Sequence, residues 1–203
     1  MTTGIVGVLL AGGQSRRMGG GDKCLRTIGG VTILARIIER VQEQVGPLVI
    51  NANGDSQRFA EFGLAVVADV VPDFAGPLAG ILSGMEWAAE HAPGCHWIAS
   101  IPTDVPFLPQ NFITRLSDAM GKEGSDLACA ASAGRVHPVI GLWPIKMRAN
   151  LRHALIDEDV RKIDAFTENY RVAVVSFDSS PVDPFFNTNR PEDLEEAERL
   201  IKQ

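Results

Sequence analysis

The sequence lacks the features that mark several large classes of protein. Only 3 of its 203 residues are cysteines, and Cys24, Cys95 and Cys129 lie far apart, in no metal-ligand spacing. Such scattered cysteines favour reduced thiols over a disulfide framework or a structural zinc site. An excess of basic charge is also missing, because the formal net charge is -6. This balance argues against a nucleic-acid-binding surface.

Long hydrophobic segments are missing as well. The apolar run at residues 5–10 is too short for a membrane span or a signal peptide, and residues 1–4 carry no basic side chain. We therefore expect a cytoplasmic protein with neither a membrane nor a nucleic acid among its partners. A length of 203 residues suits one domain, residues 1–203, with a sizeable core.

The loop after the first apolar run matches neither of two common phosphate-binding signatures. A Walker-type loop needs a lysine followed by serine or threonine, whereas Lys23 is followed by Cys24. The dinucleotide fingerprint G-x-G-x-x-G fails because the glycines at 19–21 are consecutive and Cys24 stands where the third glycine should be. The loop is therefore neither a Walker loop nor a dinucleotide-binding turn.

The composition of this loop nevertheless suits a triphosphate. Residues 12–23 hold five glycines together with Arg16, Arg17 and Lys23, and residues 11–30 show no periodic pattern. Backbone N–H groups without side chains can approach phosphate oxygens, while the cations balance their charge. Structureless loops of this length in a compact domain are usually functional. A flexible surface loop with solvated charges is the alternative.

Apolar segments of strand length alternate with amphipathic segments of helix length along the chain. The strand-length segments are residues 5–10, 48–51, 64–68, 97–101, 127–131, 139–143 and 172–176. The helix-length segments are residues 33–44, 57–62, 78–91, 112–120, 147–156 and 191–202. The strands are nearly continuous hydrophobic runs, which is typical of a mostly parallel sheet covered on both faces. The alternation predicts an α/β fold, a three-layer α/β/α sandwich.

Polar residues stand where the predicted strands end. Gly12 follows the first strand, Asn51 and Asn53 the second, Asp69 the third and Asp104 the fourth. Ligands of open α/β sheets bind beyond the carboxyl ends of the strands, so these residues predict a binding site. The two amides can read a base edge or ribose hydroxyls, because an amide both donates and accepts. Taken singly, each of these side chains could instead form a turn or cap a helix.

Asp104 is the candidate metal ligand. It lies between Pro102 and Pro106, which stiffen the turn. A rigid carboxylate at a strand tip suits Mg²⁺, which completes its coordination with water and phosphate oxygens. His137 stands before a strand and could touch a phosphorylated second substrate or serve only as a turn residue. The segment at 76–80, G-P-L-A-G, opens a helix and fits a structural role as well as a binding role.

Together these motifs resemble the molybdenum cofactor guanylyltransferases, which attach GMP to molybdopterin. The matching motifs are L-A-G-G-x-S-x-R-M-G-G-x-D-K at 10–23, N-A-N at 51–53, G-P-L-A-G at 76–80, P-x-D-x-P at 102–106, H-P at 137–138 and N-x-N-x-P-E-x-L at 187–194. The resemblance covers nearly the whole chain. Arg190 departs from it, since the family commonly shows threonine there, and the last helix is expected to lose a cap.

The resemblance implies a Rossmann-like nucleotidyltransferase fold with Mg²⁺ as cofactor and with GTP and molybdopterin as substrates. The GTP-binding residues would be Leu10, Ala11, Gly12, Gly13, Lys23, Asn51, Asp69 and Asp104. Asp104 would hold the metal, and the catalytic set would be Asp104, Lys23 and Arg17. His137, Asn187 and Asn189 would face the molybdopterin side. The resemblance also allows transient contacts with proteins that deliver the cofactor or mature molybdoenzymes.

The implied reaction needs no general base. The terminal phosphate of molybdopterin, already an anion, attacks the α-phosphorus of GTP, so catalysis depends on alignment and charge neutralisation. Alternatives are a cytidylyltransferase acting on molybdopterin, a sugar-phosphate nucleotidyltransferase and a non-catalytic GTP-binding adaptor. Ala11-Gly12-Gly13 favours guanine, because the cytidylyl relatives tend to show Ala-Ala-Gly. The missing N-K-x-D motif disfavours the adaptor.

Overall fold

The computed structural model describes residues 4–12, 22–71 and 76–202. The strands in these residues are β1 (Ile5–Leu10), β2 (Thr27–Ile28), β3 (Val31–Thr32), β4 (Leu48–Asn51), β5 (Ala65–Val67), β6 (Trp97–Pro102), β7 (Leu127–Ser132), β8 (Arg135–Pro144) and β9 (Val172–Phe177). The α-helices are α1 (Ile33–Val41), α2 (Pro77–His91), α3 (Phe112–Glu123), α4 (Arg148–Ile156), α5 (Ile163–Thr167) and α6 (Pro191–Leu200).

Seven strands form the central sheet in the order β5-β4-β1-β6-β8-β7-β9. All neighbouring pairs are parallel except those made by β8, which runs antiparallel to β6 and β7. The predicted mostly parallel sheet is therefore confirmed. The carboxyl ends of β5, β4, β1, β6, β7 and β9 lie at one edge, and this edge carries the polar residues that the sequence singled out.

Helices cover the sheet on both faces, because side chains along β1 alternate in direction. Ile5 and Leu9 belong to the core cluster that contains α1 and α3. Val6 and Val8 belong to the opposite cluster, with α2 and α4. Residues from β1 are therefore buried on both sides, and the predicted three-layer sandwich is confirmed.

Several element boundaries differ from the prediction. The segment at 57–62 is a 3₁₀ turn, Ser56–Phe62, and not an α-helix. Within the supposedly structureless residues 11–30, β2 starts a small antiparallel hairpin with β3. Gly29 and Gly30 form its turn at φ values of +59° and +78°, a conformation that glycine adopts without strain. The hairpin leads into α1, where the Thr32 side chain accepts a hydrogen bond from the Ala35 N–H.

The last helix keeps a cap despite Arg190. The Arg190 side chain cannot accept a hydrogen bond, as expected, but the Asp193 carboxylate accepts the backbone N–H groups of Asn189 and Arg190, each at 2.7 Å. A carboxylate in the first turn also complements the helix dipole. The expected loss is therefore offset by Asp193. Across the described parts of the chain, no helix has the length and apolar character needed to cross a membrane.

Candidate functional site

The ends of β1, β4 and β6 are tied together at the carboxyl edge of the sheet. The Ala11 N–H donates to the carbonyl of Asn51 at 2.8 Å, and the Thr103 hydroxyl donates to the carbonyl of Leu10 at 3.1 Å. A Cβ added at Gly12 would meet no atom of the described residues closer than 3.9 Å. The described part of the fold thus leaves open space at Gly12.

Asp104 has partners for both its backbone carbonyl and its carboxylate. Its carbonyl accepts hydrogen bonds from the N–H and the hydroxyl of Thr188, at 2.9 and 3.1 Å. Its carboxylate lies 3.7 Å from the Lys23 ammonium, and its side chain is only 26% exposed. Burial raises the pKa of Asp104, and the Lys23 charge only partly opposes this effect. The backbone of Asp104 is therefore fixed, and its partly buried carboxylate, with Lys23 beside it, is placed where a further cation would be favourable.

Lys23 connects the end of the glycine-rich loop to a distant part of the chain. Its ammonium donates to the Asn189 side-chain oxygen at 2.5 Å as well as facing Asp104. Asn189 was predicted on the molybdopterin side, and the structure places it against a predicted GTP-binding residue. Asn187 is half-buried, two residues earlier in the same segment. The carboxyl-terminal segment therefore reaches the nucleotide loop.

Asp69 lies in a corner formed by the two asparagines of the N-A-N motif. The Asn51 amide donates to one oxygen of Asp69 at 2.9 Å, and the Asn53 amide donates to the other at 2.8 Å. The Asp69 N–H donates back to the Asn53 side-chain oxygen at 2.9 Å. The two amides were predicted to read a ligand directly, but each donates a side-chain N–H to Asp69. The Asp69 carboxylate, held by both amides, keeps lone pairs that can accept further hydrogen bonds from a ligand.

Helix α2 approaches this corner closely at Gly80. A Cβ there would lie 2.3 Å from the Asn51 side-chain oxygen and 2.8 Å from Leu10. Glycine at position 80 therefore allows α2 to approach Asn51 and Leu10. Ser83, one turn further along α2, accepts a hydrogen bond from the Val70 N–H at 3.0 Å and so holds the chain that follows Asp69.

Arg58 joins the corner to the glycine-rich loop and was not predicted. Its Nε lies 2.6 Å from the Asp22 carboxylate, and its Nη2 donates to the carbonyl of Asn53 at 2.7 Å. Arg58 belongs to no motif, and the amphipathic pattern of residues 57–62 does not identify its partners Asp22 and Asn53, so the sequence could not have revealed these contacts.

His137 lies at the same sheet edge beyond β6, in contact with two residues that the sequence did not reveal. Its Nε2 is 2.9 Å from the Ser132 hydroxyl, and that hydroxyl donates to Asp183 at 2.7 Å. Burial lowers the pKa of His137, with Asp183 opposing this effect and Arg135 adding to it. The structure therefore gives His137 partners of its own instead of a simple turn position.

The remaining predictions fall outside these contacts. Gly13, Arg16 and Arg17 lie outside the described residues. In the part of the chain that the structure describes, no group of three or more histidine, cysteine or acidic side chains could hold a metal ion. A metal at Asp104 would therefore depend on substrate oxygens and water for most of its ligands.

Comparison with known proteins shows the family of this chain. Residues 7–180 match the family model of the MobA-like NTP transferase domain. The molybdenum cofactor guanylyltransferase of Bradyrhizobium sp. (strain ORS 278) is 57% identical over 199 residues, 98% of this chain and 94% of that protein. The chain belongs to the molybdenum cofactor guanylyltransferases. A guanylyltransferase of the same name from Mesorhizobium japonicum is 47% identical, covering 100% of this chain and 98% of that protein.

Solved structures share the fold of this guanylyltransferase family member. The molybdopterin-guanine dinucleotide biosynthesis protein A of Archaeoglobus fulgidus superposes with a TM-score of 0.74 at 22% identity, covering 97% of this chain and 98% of that one. The 4-diphosphocytidyl-2C-methyl-D-erythritol synthase of Anaerococcus prevotii gives 0.76 at 12% identity, covering 99% and 97%. At such low identity these likenesses show the fold alone. The predicted Rossmann-like nucleotidyltransferase fold is confirmed.

Proposed function

We propose that this protein transfers GMP from GTP to the terminal phosphate of molybdopterin. A phosphate oxygen of molybdopterin forms a bond to the α-phosphorus, and the bond from that phosphorus to the bridging oxygen breaks, releasing pyrophosphate. The observation that carries the proposal is the placement of the Lys23–Asp104 pair and the Asn51–Asp69–Asn53 corner along one edge of the sheet. A cation beside a carboxylate suits the phosphates, and the corner suits the nucleoside.

The nucleoside end of GTP is assigned to Asp69. Both oxygens of this carboxylate already accept an amide N–H, so their remaining lone pairs point in fixed directions. Guanine presents two adjacent N–H donors on its base-pairing edge, whereas cytosine presents a ring acceptor beside its amino group. A fixed carboxylate therefore favours guanine over cytosine.

The surroundings of Asp104 fit the Mg²⁺ that the resemblance implies. Its carboxylate keeps a raised pKa beside Lys23, so a second cation would relieve an uncompensated charge. Mg²⁺ is usually held by one or two carboxylates together with phosphate oxygens. When bound, such an ion supplies charge neutralisation between the two anionic substrates.

The other residues act by binding and orientation. Lys23 would balance the charge of the phosphates that leave, and Arg17 is proposed to share this role. No side chain need remove a proton, because the attacking phosphate is already ionised. We also propose a cytoplasmic location, where the three buried free thiols stay reduced, and transient contacts with proteins that supply or receive the cofactor.

The test is pyrophosphate release with each nucleoside triphosphate in the presence of Mg²⁺ and molybdopterin. We expect GTP-dependent release that needs molybdopterin. Preference for CTP would indicate a cytidylyltransferase, and GTP binding without release would indicate an adaptor.

Asp104→Asn should lower turnover by orders of magnitude while the thermal unfolding midpoint changes little. Asp118→Asn, at an exposed position on α3, is the matched control and should keep normal turnover. Near-normal turnover of Asp104→Asn would remove Asp104 from the mechanism.

A further inference from the structure

Three side chains form a hydrogen-bonded chain at the second-substrate end of the sheet edge. We call Ser132, His137 and Asp183 the Ser132 relay. The two residues between β7 and β8, Ala133 and Gly134, both have positive φ values, of 47° and 73°, and make a tight turn. This turn brings His137 of β8 beside Ser132 at the end of β7, and Asp183 follows β9 on the other side.

The relay fixes the tautomer of His137. The Ser132 hydroxyl has one proton and gives it to Asp183 at 2.7 Å, because an ionised carboxylate can only accept. The hydroxyl oxygen must then accept from His137, so Nε2 carries the ring proton at 2.9 Å. Ser132 is 2% exposed, which shields these hydrogen bonds from water. Nδ1 is left with its lone pair.

Asp183 also positions Phe185, whose ring packs against the His137 ring. The same carboxylate oxygen that accepts from Ser132 accepts the Phe185 N–H at 2.9 Å. The Phe185 ring lies 5.0 Å from the His137 ring, at an angle of 54°. The Asp183 carboxylate therefore orients the His137 imidazole in two ways. It holds Ser132, which contacts Nε2, and it holds the backbone of Phe185, whose ring packs against the imidazole.

The His137 ring has more orienting contacts than packing in the core alone would need. His137 is half-buried at the carboxyl edge of the sheet, and its Nδ1 has no hydrogen-bond partner among the residues that the structure describes. A histidine that serves packing alone gains nothing from one exposed acceptor held in a fixed direction. A bound molecule with a hydrogen-bond donor would complete the arrangement.

We propose that Ser132 and Asp183 are positioning residues for the second substrate, which hold His137 so that Nδ1 accepts a hydrogen bond from an N–H group of the pterin ring. The proposal rests on the proposed function and names the part of molybdopterin that His137 meets. A neutral Nδ1 would repel a phosphate oxygen, since both are acceptors, whereas it matches the N–H donors of a pterin. The sequence predicted only that His137 could touch a phosphorylated second substrate, and the proposal assigns this contact to the pterin ring.

The charges around His137 agree with a neutral ring. Burial and Arg135, at the start of β8, lower its pKa, and Asp183 opposes them. Protonation of Nδ1 would convert the acceptor into a donor. Molybdopterin binding through Nδ1 must therefore weaken as the pH falls through the pKa of His137, whereas binding of a phosphate by the imidazolium would strengthen.

The experiment measures molybdopterin affinity by equilibrium dialysis, together with the KM values for both substrates. Ser132→Ala should weaken molybdopterin binding about tenfold, the loss of roughly one positioned hydrogen bond, while the KM for GTP stays within about twofold. Asp183→Asn keeps an oxygen acceptor and should lose less than Asp183→Ala. Ser125→Ala and Asp126→Asn, at the opposite end of β7, are the matched controls and should bind normally.

Two further readouts separate orientation from stability. Nitrogen NMR of the imidazole should show the Nε2–H tautomer in the natural protein and a tautomer mixture in Ser132→Ala. His137→Asn keeps an oxygen acceptor that does not titrate near neutral pH, so the pH dependence that it retains belongs to the substrate phosphate and to the other titratable groups of the protein. Subtracting it isolates the contribution of His137.

Either of two results would overturn the proposal. The first is an unchanged molybdopterin affinity in Ser132→Ala. The second is a contribution of His137 to this affinity that increases as the pH falls. A protein that binds molybdopterin with the expected dependence on Ser132 but releases no pyrophosphate would overturn the proposed function and leave the positioning role standing. Normal GMP transfer with a molybdopterin affinity that does not change in Ser132→Ala would support the proposed function and overturn the positioning role.

Discussion

Replacing Gly80 by alanine tests whether the carboxyl end of β4 must keep its place for nucleotidyl transfer. The added methyl group would lie 2.3 Å from the Asn51 side-chain oxygen and 2.8 Å from Leu10. Ordinary contacts begin near 3.4 Å, so α2 and the end of β4 must separate by about 1 Å. Asn51 is 3% exposed and holds Asp69, so it cannot swing away without releasing that carboxylate.

The separation sets the size of the expected effect. A misplacement of about 1 Å at a reaction site costs on the order of 100-fold in rate. The strain of an overpacked core costs about 1–3 kcal/mol of stability, and the better helix propensity of alanine returns up to about 1 kcal/mol. Gly80→Ala should therefore remain folded while kcat/KM for GTP falls by about two orders of magnitude.

Gly84 provides a control one turn along the same helix. A Cβ there would lie 2.5 Å from Val8, so the steric conflict is similar, but Val8 lies in the middle of β1 and is not itself a predicted ligand-binding residue. Gly84→Ala should lose comparable stability and keep near-normal kinetics. Thermal unfolding and pyrophosphate release, measured on both variants, decide the matter. Equal kinetic losses at equal stability would refute the reasoning, because the effect would then follow overpacking and not the position of Asn51.

Three further predictions concern charges and thiols near the site. Arg58→Gln removes the ion pair to Asp22 and should weaken GTP binding about fivefold, the effect of losing one charge-assisted contact. Calorimetry measures this affinity, and an unchanged value would show that Arg58 does not position the glycine-rich loop for GTP. Burial raises the pKa of Cys24 to about 11, so at neutral pH its thiolate is about 100-fold rarer than that of an ordinary thiol. Iodoacetamide should leave Cys24 unmodified in the native protein and alkylate it after unfolding, as mass spectrometry would show, and rapid native labelling would contradict its burial. Because burial also raises the pKa of Asp104, its protonation should compete with Mg²⁺ at a higher pH than for an exposed aspartate. The Mg²⁺ concentration for half-maximal activity should rise as the pH falls toward that pKa, and a value independent of pH would argue against Asp104 as the ligand.

The parts of the fold that could be predicted are those set by burial along a strand. The bounds of β1 and β4 are the predicted ones, because a central parallel strand is apolar until it leaves the sheet. The first residues of β8 pair with β7, but they form no apolar run, because Arg135 and His137 interrupt it, and so they gave no strand signal. The two-residue strands β2 and β3 are too short for an alternating pattern to appear, and α5, with five residues, is too short for a helical one.

The candidate site divides in the same way. Gly12, Asn51, Asp69 and Asp104 were predictable because the ends of parallel strands necessarily meet at one edge. Ser132, Arg58 and Asp183 were not, because their roles depend on side-chain contacts between segments that are distant in sequence. The contact between Asn53 and Asp69 was not predictable for a related reason, since the two residues are 16 positions apart and only the sheet brings them together.

The two halves of the site are connected by one segment, residues 183–189. At its start Asp183 holds Ser132, in its middle Thr188 holds the carbonyl of Asp104, and at its end Asn189 accepts from Lys23. Thr188 is fully buried, so the segment is fixed between its two ends. An ammonium group has three N–H donors, and Lys23 can keep Asn189 while it meets a phosphate. The segment therefore need not move for Lys23 to meet a phosphate, and a fixed connection between Ser132 and Lys23 would lower the ordering cost of binding ligands at both of its ends.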